Sequence, residues 1–260
     1  MPVTEANQAT ARKLKSKAVG SSDARLFGLS KKELLQVYRT MLLARRLDEK
    51  MLILLKQGKS FFHIGGSGHE AVQVAAARVL TPQKDWVYPY YRDLAFCLQY
   101  GMKAEEMLLC FLARADDPNS GGRQMPCHYG HKGLRIVSQS SPTGTQYLQA
   151  VGCAMGCKKE GTDEVVYVSS GEGSTSQGDF HEALNWASRD KLPVIFVIQD
   201  NKYAISVPVY QQTAGGVYYL AQGYEGLHRY KVEGTDFIQS YKTMKEAVKR
   251  ARSGQGPSIV

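Results

Sequence analysis

The sequence predicts an α/β fold: a parallel sheet flanked by helices on both faces. Three observations carry the prediction. Val165-Val166-Tyr167-Val168 and Val194 to Ile198 are short, apolar, β-branched runs of the kind that form buried strands. Between them stand a glycine-rich turn, Gly171 to Gly178, and a helical run that starts near Asp179. Strand, turn, helix and strand in that order make a βαβ unit, whose strands pair in parallel.

The other elements follow in chain order. Residues 1–29 are polar, carry Gly20-Ser21-Ser22, and read as a flexible arm; residues 30–260 read as one domain. Ser30-Lys31-Lys32-Glu33 is a capping box. It opens a long helix in which Leu34, Val37, Tyr38, Met41, Leu42, Leu47 and Met51 recur at helical spacing, ending near Gly58. Glu70 to Val79 predicts a second helix, Trp86-Val87-Tyr88 a short strand, and Lys103 to Ala113 a further helix. Residues 114–135 are a loop rich in glycine and histidine. Thr145 to Lys158 predicts a helix of small residues that leads into the βαβ unit. Beyond Tyr203 come a polar loop with Gly215-Gly216, a strand at Tyr230-Lys231-Val232, and a helix from Phe237 to Arg252. Gly256 to Val260 reads as the start of a buried strand that is cut off. The domain is therefore expected to be truncated at its C-terminal end, as a fragment or one half of a longer polypeptide.

Composition excludes several classes. The 260 residues, 43% hydrophobic, suffice for one large α/β domain or two small ones. No apolar stretch reaches the ~18 residues of a membrane span; Met51 to Leu55 is far shorter. The net charge of +9 and the pI near 9.2 raise the question of nucleic acid. The basic residues are scattered, however, apart from Arg12 to Lys17 and Lys245 to Arg252, and solvated faces account for them. Five cysteines argue against a disulfide framework and for a reducing compartment. Cys153 and Cys157 share a helical face, but they lie among small residues with no third ligand nearby, which favours packing over metal ligation. The first 20 residues lack the apolar core of a secretory signal, and Glu5 and Asp23 interrupt a transit-peptide pattern. The expected location is the cytoplasm of a bacterium, or the mitochondrial matrix of a eukaryote.

The turn after the first strand of the βαβ unit carries the chemistry. Ligands of parallel sheets collect at the carboxyl ends of strands. Those two ends bear Glu172 and Asn201, distant in sequence and neighbours if the strands are adjacent. Two hard oxygen ligands on neighbouring loops suit Mg²⁺, which leaves its remaining positions to water and phosphate. Gly173 and Gly178 let backbone approach a diphosphate, and the following helix offers free N–H groups. A dinucleotide turn is the competing reading. It wants glycine where Ser176 stands, and a pyrophosphate would be repelled by Glu172.

This arrangement resembles the thiamine diphosphate motif, Gly-Asp-Gly followed by a helix and Asn-Asn. Glu172 replaces the aspartate and Asp200 the first asparagine; Asn201 matches the second. From about residue 30 onward the chain resembles the alpha subunit of the thiamine-dependent 2-oxoacid dehydrogenases. The markers are Gly68-His69-Glu70-Ala71, Tyr91-Arg92-Asp93, Gly122-Arg123-Gln124-Met125-Pro126, His128-Tyr129-Gly130, Ser140-Ser141-Pro142, Gly171-Glu172-Gly173 and Tyr203-Ala204-Ile205-Ser206. The Gly122 to Gly130 segment and the Ser-Ser-Pro loop look closest to the branched-chain type. Pyruvate and acetoin dehydrogenases are close rivals.

The resemblance implies a thiamine-diphosphate-binding fold and a set of roles. Tyr91 and Arg92 would grip the diphosphate, a bidentate match for a guanidinium. Ser141 and Thr143 would contact the cofactor through their loop, although an apolar residue is usual at the Thr143 position. Gly171, Glu172, Gly173 and Ser174 form the turn that receives it. Glu172, Asn201 and the Tyr203 carbonyl would ligate Mg²⁺. Ser140, Pro142, Thr145 and Gln146 match a K⁺-binding loop, which equally reads as the lead-in to a helix. Gln199 stands where some relatives carry arginine. His63 matches a histidine near the substrate of pyruvate-type enzymes, and equally reads as a core residue after two phenylalanines. His128 and His131 have no assigned role. Of the acidic residues, Asp93 is expected beside Arg92 and Asp179 at a helix start.

The implied activity is oxidative decarboxylation of a 2-oxoacid, with acyl transfer to the lipoyl domain of a dihydrolipoyl acyltransferase. The cofactor supplies the chemistry while the protein supplies orientation and charge. A beta subunit, or a fused beta half, would provide the glutamate that activates the aminopyrimidine, so this chain alone should turn over little. Gly152 and Gly156 would let the small-residue helix pack closely on a partner, in a heterotetramer or a dimer of fused chains. Two other readings compete: a non-catalytic subunit that kept the fold, and a different thiamine enzyme such as a transketolase. The ligand pair argues against the first, and the Gly-Arg-Gln-Met-Pro and Tyr-Ala-Ile-Ser segments against the second.

Overall fold

A computed structural model describes residues 27–260. The flexible arm expected at residues 1–29 falls largely outside the described residues. Residues 37–260 form a compact unit of their own, and the first described helix is α1 (Lys31–Lys56). Ser30 caps that helix as expected. Its backbone N–H donates to Glu33 Oε2 at 2.8 Å, and the Glu33 N–H donates to Ser30 Oγ at 3.3 Å, which satisfies free donors of the first turn.

Within residues 37–260 the order is α2 (Glu70–Val79), β1 (Trp86–Tyr88), α3 (Leu94–Tyr100), α4 (Ala104–Phe111), α5 (Gln146–Lys159), β2 (Val166–Gly171), α6 (Gly178–Arg189), β3 (Val194–Gln199), β4 (Tyr203–Ala204), β5 (Val207–Pro208), α7 (Val217–Leu220), β6 (His228–Arg229), α8 (Phe237–Arg252) and β7 (Ser258–Ile259). Five strands form one parallel sheet in the order β1-β2-β3-β7-β6; β4 and β5 form a small antiparallel pair.

Alternation along the strands builds a core on each face of the sheet. Val166, Val168, Val194 and Phe196 pack with Tyr147, Ala150 and Ala154 of α5 and with Phe180, Ala183 and Leu184 of α6. Val165, Tyr167, Ile195 and Val197 pack on the opposite side with Val74 of α2, Phe96 of α3 and Met244 of α8. There the Phe96 and Tyr167 rings stack at 4.3 Å. The predicted parallel sheet with helices on both faces is what forms.

Several boundaries differ from expectation. Helix α3 was not anticipated; seven residues between Asp93 and Gly101 are too few to display a helical period. Helix α4 stops at Phe111, two residues before the predicted end, where Ala113 takes φ +49°. The strand expected at Tyr230–Val232 is β6 at His228–Arg229, although the Tyr230 N–H still donates to the Ile259 carbonyl at 2.8 Å. The buried strand expected at the end is β7, which pairs with both β3 and β6. Phe237–Arg252 is helical as predicted, capped by Asp236 Oδ1 accepting from the Gln239 N–H at 3.0 Å.

Candidate cofactor-binding site

The β2–β3 register decides what meets at the carboxyl edge of the sheet. Gly171 lies opposite Gln199, so the next residues, Glu172 and Asp200-Asn201, leave adjacent strands side by side. Glu172 opens a 3₁₀ turn, Glu172–Ser176, that leads through Gln177 into α6. Glycine is required inside this turn. A Cβ on Gly173 would fall 2.7 Å from Ala204 Cβ, because β4 rests directly on the turn.

Glu172 was expected to face a loop. It is instead 1% exposed, with its carboxylate folded inward. Oε2 accepts the Asn201 backbone N–H at 3.3 Å, while Oε1 is buried and has no hydrogen-bond partner among the described residues. Burial, assisted by the charge of Asp200, raises its pKa above the usual carboxylate range. Asn201 is exposed; its Oδ1 accepts the Tyr203 N–H at 2.9 Å, in a turn where Lys202 takes φ +72°. The Tyr203 side chain is exposed. Ser174 is buried, its hydroxyl within 2.9 Å of the Gly171 carbonyl and 2.7 Å of Tyr147 Oη, so that hydroxyl is spent inside the turn.

Arg92 reaches this turn through a neighbour. Its Nε donates to Tyr90 Oη at 3.1 Å and its Nη1 to the Gly65 carbonyl at 2.7 Å. The Tyr90 ring lies 3.9 Å from where a Gly171 Cβ would stand, and the Tyr91 ring centroid is 6.0 Å from the Arg92 guanidinium carbon. Asp93 is not the partner of Arg92 that the sequence suggested. It is fully buried and accepts from Ser169 Oγ, from Gln199 Nε2 at 2.6 Å and from the Tyr90 N–H at 3.3 Å. Burial pushes its pKa up to about 6, against the pull of those bonds. Gln199 points into the core rather than toward a phosphate, with its Oε1 accepting from Gln73 Nε2 at 2.9 Å. Gln73 also donates to the Arg92 carbonyl at 3.1 Å, so this buried network fixes the backbone beneath the arginine.

The Ser-Ser-Pro loop abuts the same turn. A Cβ on Gly144 would meet the Gln177 side chain at 3.1 Å and the Ser174 carbonyl at 3.7 Å. Ser141 and Thr143 are exposed and Ser140 half-exposed. The Pro142 carbonyl accepts from Thr145 Oγ1 at 3.0 Å, whereas Gln146 turns inward and donates to the Ser169 carbonyl at 3.2 Å. Of the four residues matched to a K⁺ loop, the first three thus share the loop and Gln146 serves the core.

His63 does not join this cluster. Its side chain is 2% exposed, its Nε2 lies 2.7 Å from Asp48 Oδ1, and its ring stands edge-on to Phe111. His131 is structural: its Nδ1 accepts the Leu134 N–H at 3.2 Å. Among the described residues there is no group of three or more His, Cys, Asp or Glu placed to hold a metal. No described helix is long and apolar enough to cross a membrane.

Sequence reasoning missed Tyr90, Gln73, Asp48 and His69. His69 lines a cavity of about 640 Å³ at the carboxyl ends of β3 and β7, together with Asn201, Ser67 and Tyr230. Burial, then the charge of Arg92, lowers its pKa. The Gly68-His69-Glu70-Ala71 marker carried the signal for His69, and the aromatic setting of Arg92 (Tyr88, Tyr90 and Tyr91) that for Tyr90; nothing in the linear pattern marked Gln73 or Asp48.

Comparison with known proteins agrees with this geometry. Residues 38–260 match the family model described as the dehydrogenase E1 component. The chain is 48% identical over 234 residues to the 2-oxoisovalerate dehydrogenase subunit alpha of Bacillus subtilis, covering 90% of this chain and 71% of that protein. It is 36% identical over 230 residues to the 3-methyl-2-oxobutanoate dehydrogenase subunit alpha of Mycobacterium tuberculosis, covering 86% and 58%. It is 34% identical over 232 residues to the pyruvate dehydrogenase E1 component subunit alpha of Staphylococcus aureus, covering 89% and 60%. The chain thus spans less than two thirds of the length of the latter two. A match over most of the chain, on a parallel sheet with Glu172 and Asn201 at adjacent strand ends, places it in the dehydrogenase E1 component family.

Proposed function

We propose that this chain is the alpha component of a thiamine-diphosphate-dependent 2-oxoacid dehydrogenase, with residues 30–260 as its cofactor-binding domain. The observation that carries the reading is Glu172: a buried carboxylate with one oxygen unpartnered, beside Asn201 at the edge of a parallel sheet. A buried charge without a partner is costly, and a bound cation removes the cost. Glu172, Asn201 and the Tyr203 carbonyl would hold Mg²⁺, whose preference for oxygen ligands and phosphate this donor set fits. Arg92, with Tyr91 beside it, would meet the diphosphate; Gly171, Gly173 and Ser174 line the turn that admits it, and Ser141 and Thr143 stand on the abutting loop. When bound, thiamine diphosphate supplies the nucleophilic carbon and the electron sink for decarboxylation. The chain's own contribution is to orient the cofactor and balance its charge. A role for His63 near the substrate would fall to Nδ1, since Nε2 is engaged by Asp48. A K⁺ ion at Ser140, Pro142, Thr145 and Gln146 would require Gln146 to give up its inward contact.

The substrate reading is a branched-chain 2-oxoacid, supported by the names of two relatives; pyruvate is the alternative, supported by the third. The carboxylate that activates the aminopyrimidine would come from a beta component, and the acyl group would leave on a lipoyl domain. The test is reconstitution. The chain alone should decarboxylate neither 3-methyl-2-oxobutanoate nor pyruvate, and adding a beta component should restore activity, with higher kcat/KM on the branched substrate. Robust turnover by the chain alone contradicts the shared site; a preference for pyruvate overturns only the substrate.

A further inference from the structure

Helix α5 carries two cysteines that the cofactor site does not use. Cys153 and Cys157 stand one turn apart on the same helical face, and that face packs beside Trp86 and Tyr88 of β1. Their surroundings differ. Cys157 is buried, and its Sγ donates to Glu164 Oε2 at 3.4 Å. Glu164 is itself held in place: it pairs with Arg135 and accepts from Trp86 Nε1 at 3.3 Å, while the Arg135 guanidinium lies 4.7 Å from the Trp86 ring centroid. Cys153 is half-buried, and its sulfur accepts from the Cys157 thiol and the Tyr88 hydroxyl. The Cys157 proton therefore has two acceptors in reach, Glu164 and the Cys153 sulfur.

Donors aimed at a sulfur favour its anion. The Cys157 thiol, joined by Tyr88 and Arg135, lowers the Cys153 pKa against the opposing effects of burial and of Glu164. The same contact, with burial and Glu164, raises that of Cys157. The outer sulfur thus ionises first while the inner one keeps its proton. The other three cysteines are buried, and burial pushes Cys110 up to about 11, Cys127 to about 12 and Cys97 well above its ordinary value. An accessible thiolate beside a second thiol is the arrangement that oxidants select.

We propose that Cys153 and Cys157 form a reversible oxidation site, in which Cys153 reacts with a peroxide and Cys157 resolves the product as a disulfide. The Cys153 thiolate attacks one oxygen of hydrogen peroxide; the S–O bond forms, the O–O bond breaks, and the departing hydroxide takes a proton from solvent. The Cys157 sulfur then attacks the Cys153 sulfur as its proton passes to Glu164. The S–S bond forms, the S–O bond breaks, and hydroxide leaves with that proton as water. Two thiols lose two electrons, and peroxide is reduced to two waters. Side chains four apart on a helix hold their Cβ atoms about 5–6 Å apart, against about 3.5–4.5 Å in a disulfide, so closure has to draw in the turn at Cys157. That turn lies next to the end of α5 at Lys159, far along the helix from Gln146 and Tyr147. Gly152 and Gly156 sit one residue earlier, roughly 100° round the helix, so a partner packed on them faces a different side. The proposal is independent of the cofactor reading.

The test treats the reduced full chain with equimolar hydrogen peroxide and maps its peptides without reductant. Wild type should yield a Cys153–Cys157 disulfide, lighter by two hydrogens and reversed by dithiothreitol. Cys157→Ala should stop at the sulfenic acid, trapped by dimedone on Cys153. Before oxidation, iodoacetamide should label native Cys153 at least ~10-fold faster than Cys97, Cys110 or Cys127. Tyr88→Phe should slow that labelling by about threefold, because losing one hydrogen bond to the thiolate is partly offset by the higher nucleophilicity of a more basic sulfur. If Cys157→Ala folds poorly, the wild-type map still decides. No disulfide within the chain, a link between two chains instead, or dimedone captured on a different cysteine overturns the proposal.

Discussion

Asp93 and Glu172 are both buried carboxylates near the carboxyl edge of the same sheet, and they are spent in opposite ways. Asp93 accepts from three donors on three segments: Ser169 of β2, Gln199 of β3 and the Tyr90 backbone. Glu172 accepts from one, the Asn201 backbone, and leaves its second oxygen buried and idle. A carboxylate whose bonds are all made inside the protein ties strands to loops. One that keeps an oxygen free at a strand end is poised for something the chain does not itself contain. The two roles are told apart by counting partners, because burial is nearly the same for both.

The largest expected contrast is therefore in stability. Asp93→Ala strands the Gln199 amide and the Ser169 hydroxyl and should cost about 3 kcal/mol in chemical denaturation. Glu172→Ala removes an unpaired buried charge and should change stability by less than about 1 kcal/mol. Equal losses would erase the distinction.

The pH dependence should separate them further. The Asp93 pKa is raised in the folded state to about 6 from an ordinary value of 3.8, so the folded chain holds that proton more tightly than the unfolded chain does. Its favourable contribution is fully present below the unfolded pKa and is lost as pH rises through the folded one. Wild type should thus lose stability relative to Asp93→Asn between about pH 4 and pH 6, with a constant difference above that window. A flat difference across the window would mean that the carboxyl titrates normally.

Two glycines of the Glu172 turn extend the comparison at smaller amplitude. Gly173→Ala places a methyl 2.7 Å from Ala204 Cβ and should cost about 1–3 kcal/mol as β4 is displaced. Gly171→Ala meets nothing closer than 3.9 Å and should be tolerated in thermal melts. The smallest effect on the chain itself is expected at α5. Gly156 is exposed with nothing within 4 Å of a Cβ, so Gly156→Leu should leave the melting temperature of the isolated chain unchanged while weakening assembly with a beta component in sedimentation. Undiminished assembly would mean that this face meets no partner.

Much of the layout was legible because it is periodic or chemically punctuated. The strands of the βαβ unit announced themselves as β-branched runs, and the Ser30 capping box fixed a helix start that the structure reproduces. Glu172 and Asn201 could be placed at adjacent strand ends because parallel register follows from the crossover. What stayed hidden depends on side-chain direction. Gln199 alternates inward with its strand, and only the packed structure reveals Gln73 and Asp93 waiting for it. Asp93 looked like the partner of Arg92 because it is the next residue, yet its carboxylate turns inward to Ser169 and Gln199 while the Arg92 guanidinium reaches Tyr90 and the Gly65 carbonyl. Likewise, Glu172 reads as a loop residue in sequence and is buried because β4 folds back over its turn.

The central claim is that the idle oxygen of Glu172 belongs to a metal-dependent cofactor site. Titrating thiamine diphosphate into wild type and Glu172→Gln, each with and without Mg²⁺, tests it most directly, because the substitution keeps the side chain's size and removes its charge. Wild type should bind only when Mg²⁺ is present, and Glu172→Gln should bind at least ~100-fold more weakly, about 2.7 kcal/mol, with its fold intact by circular dichroism. Metal-dependent binding of wild-type strength in Glu172→Gln would contradict the account.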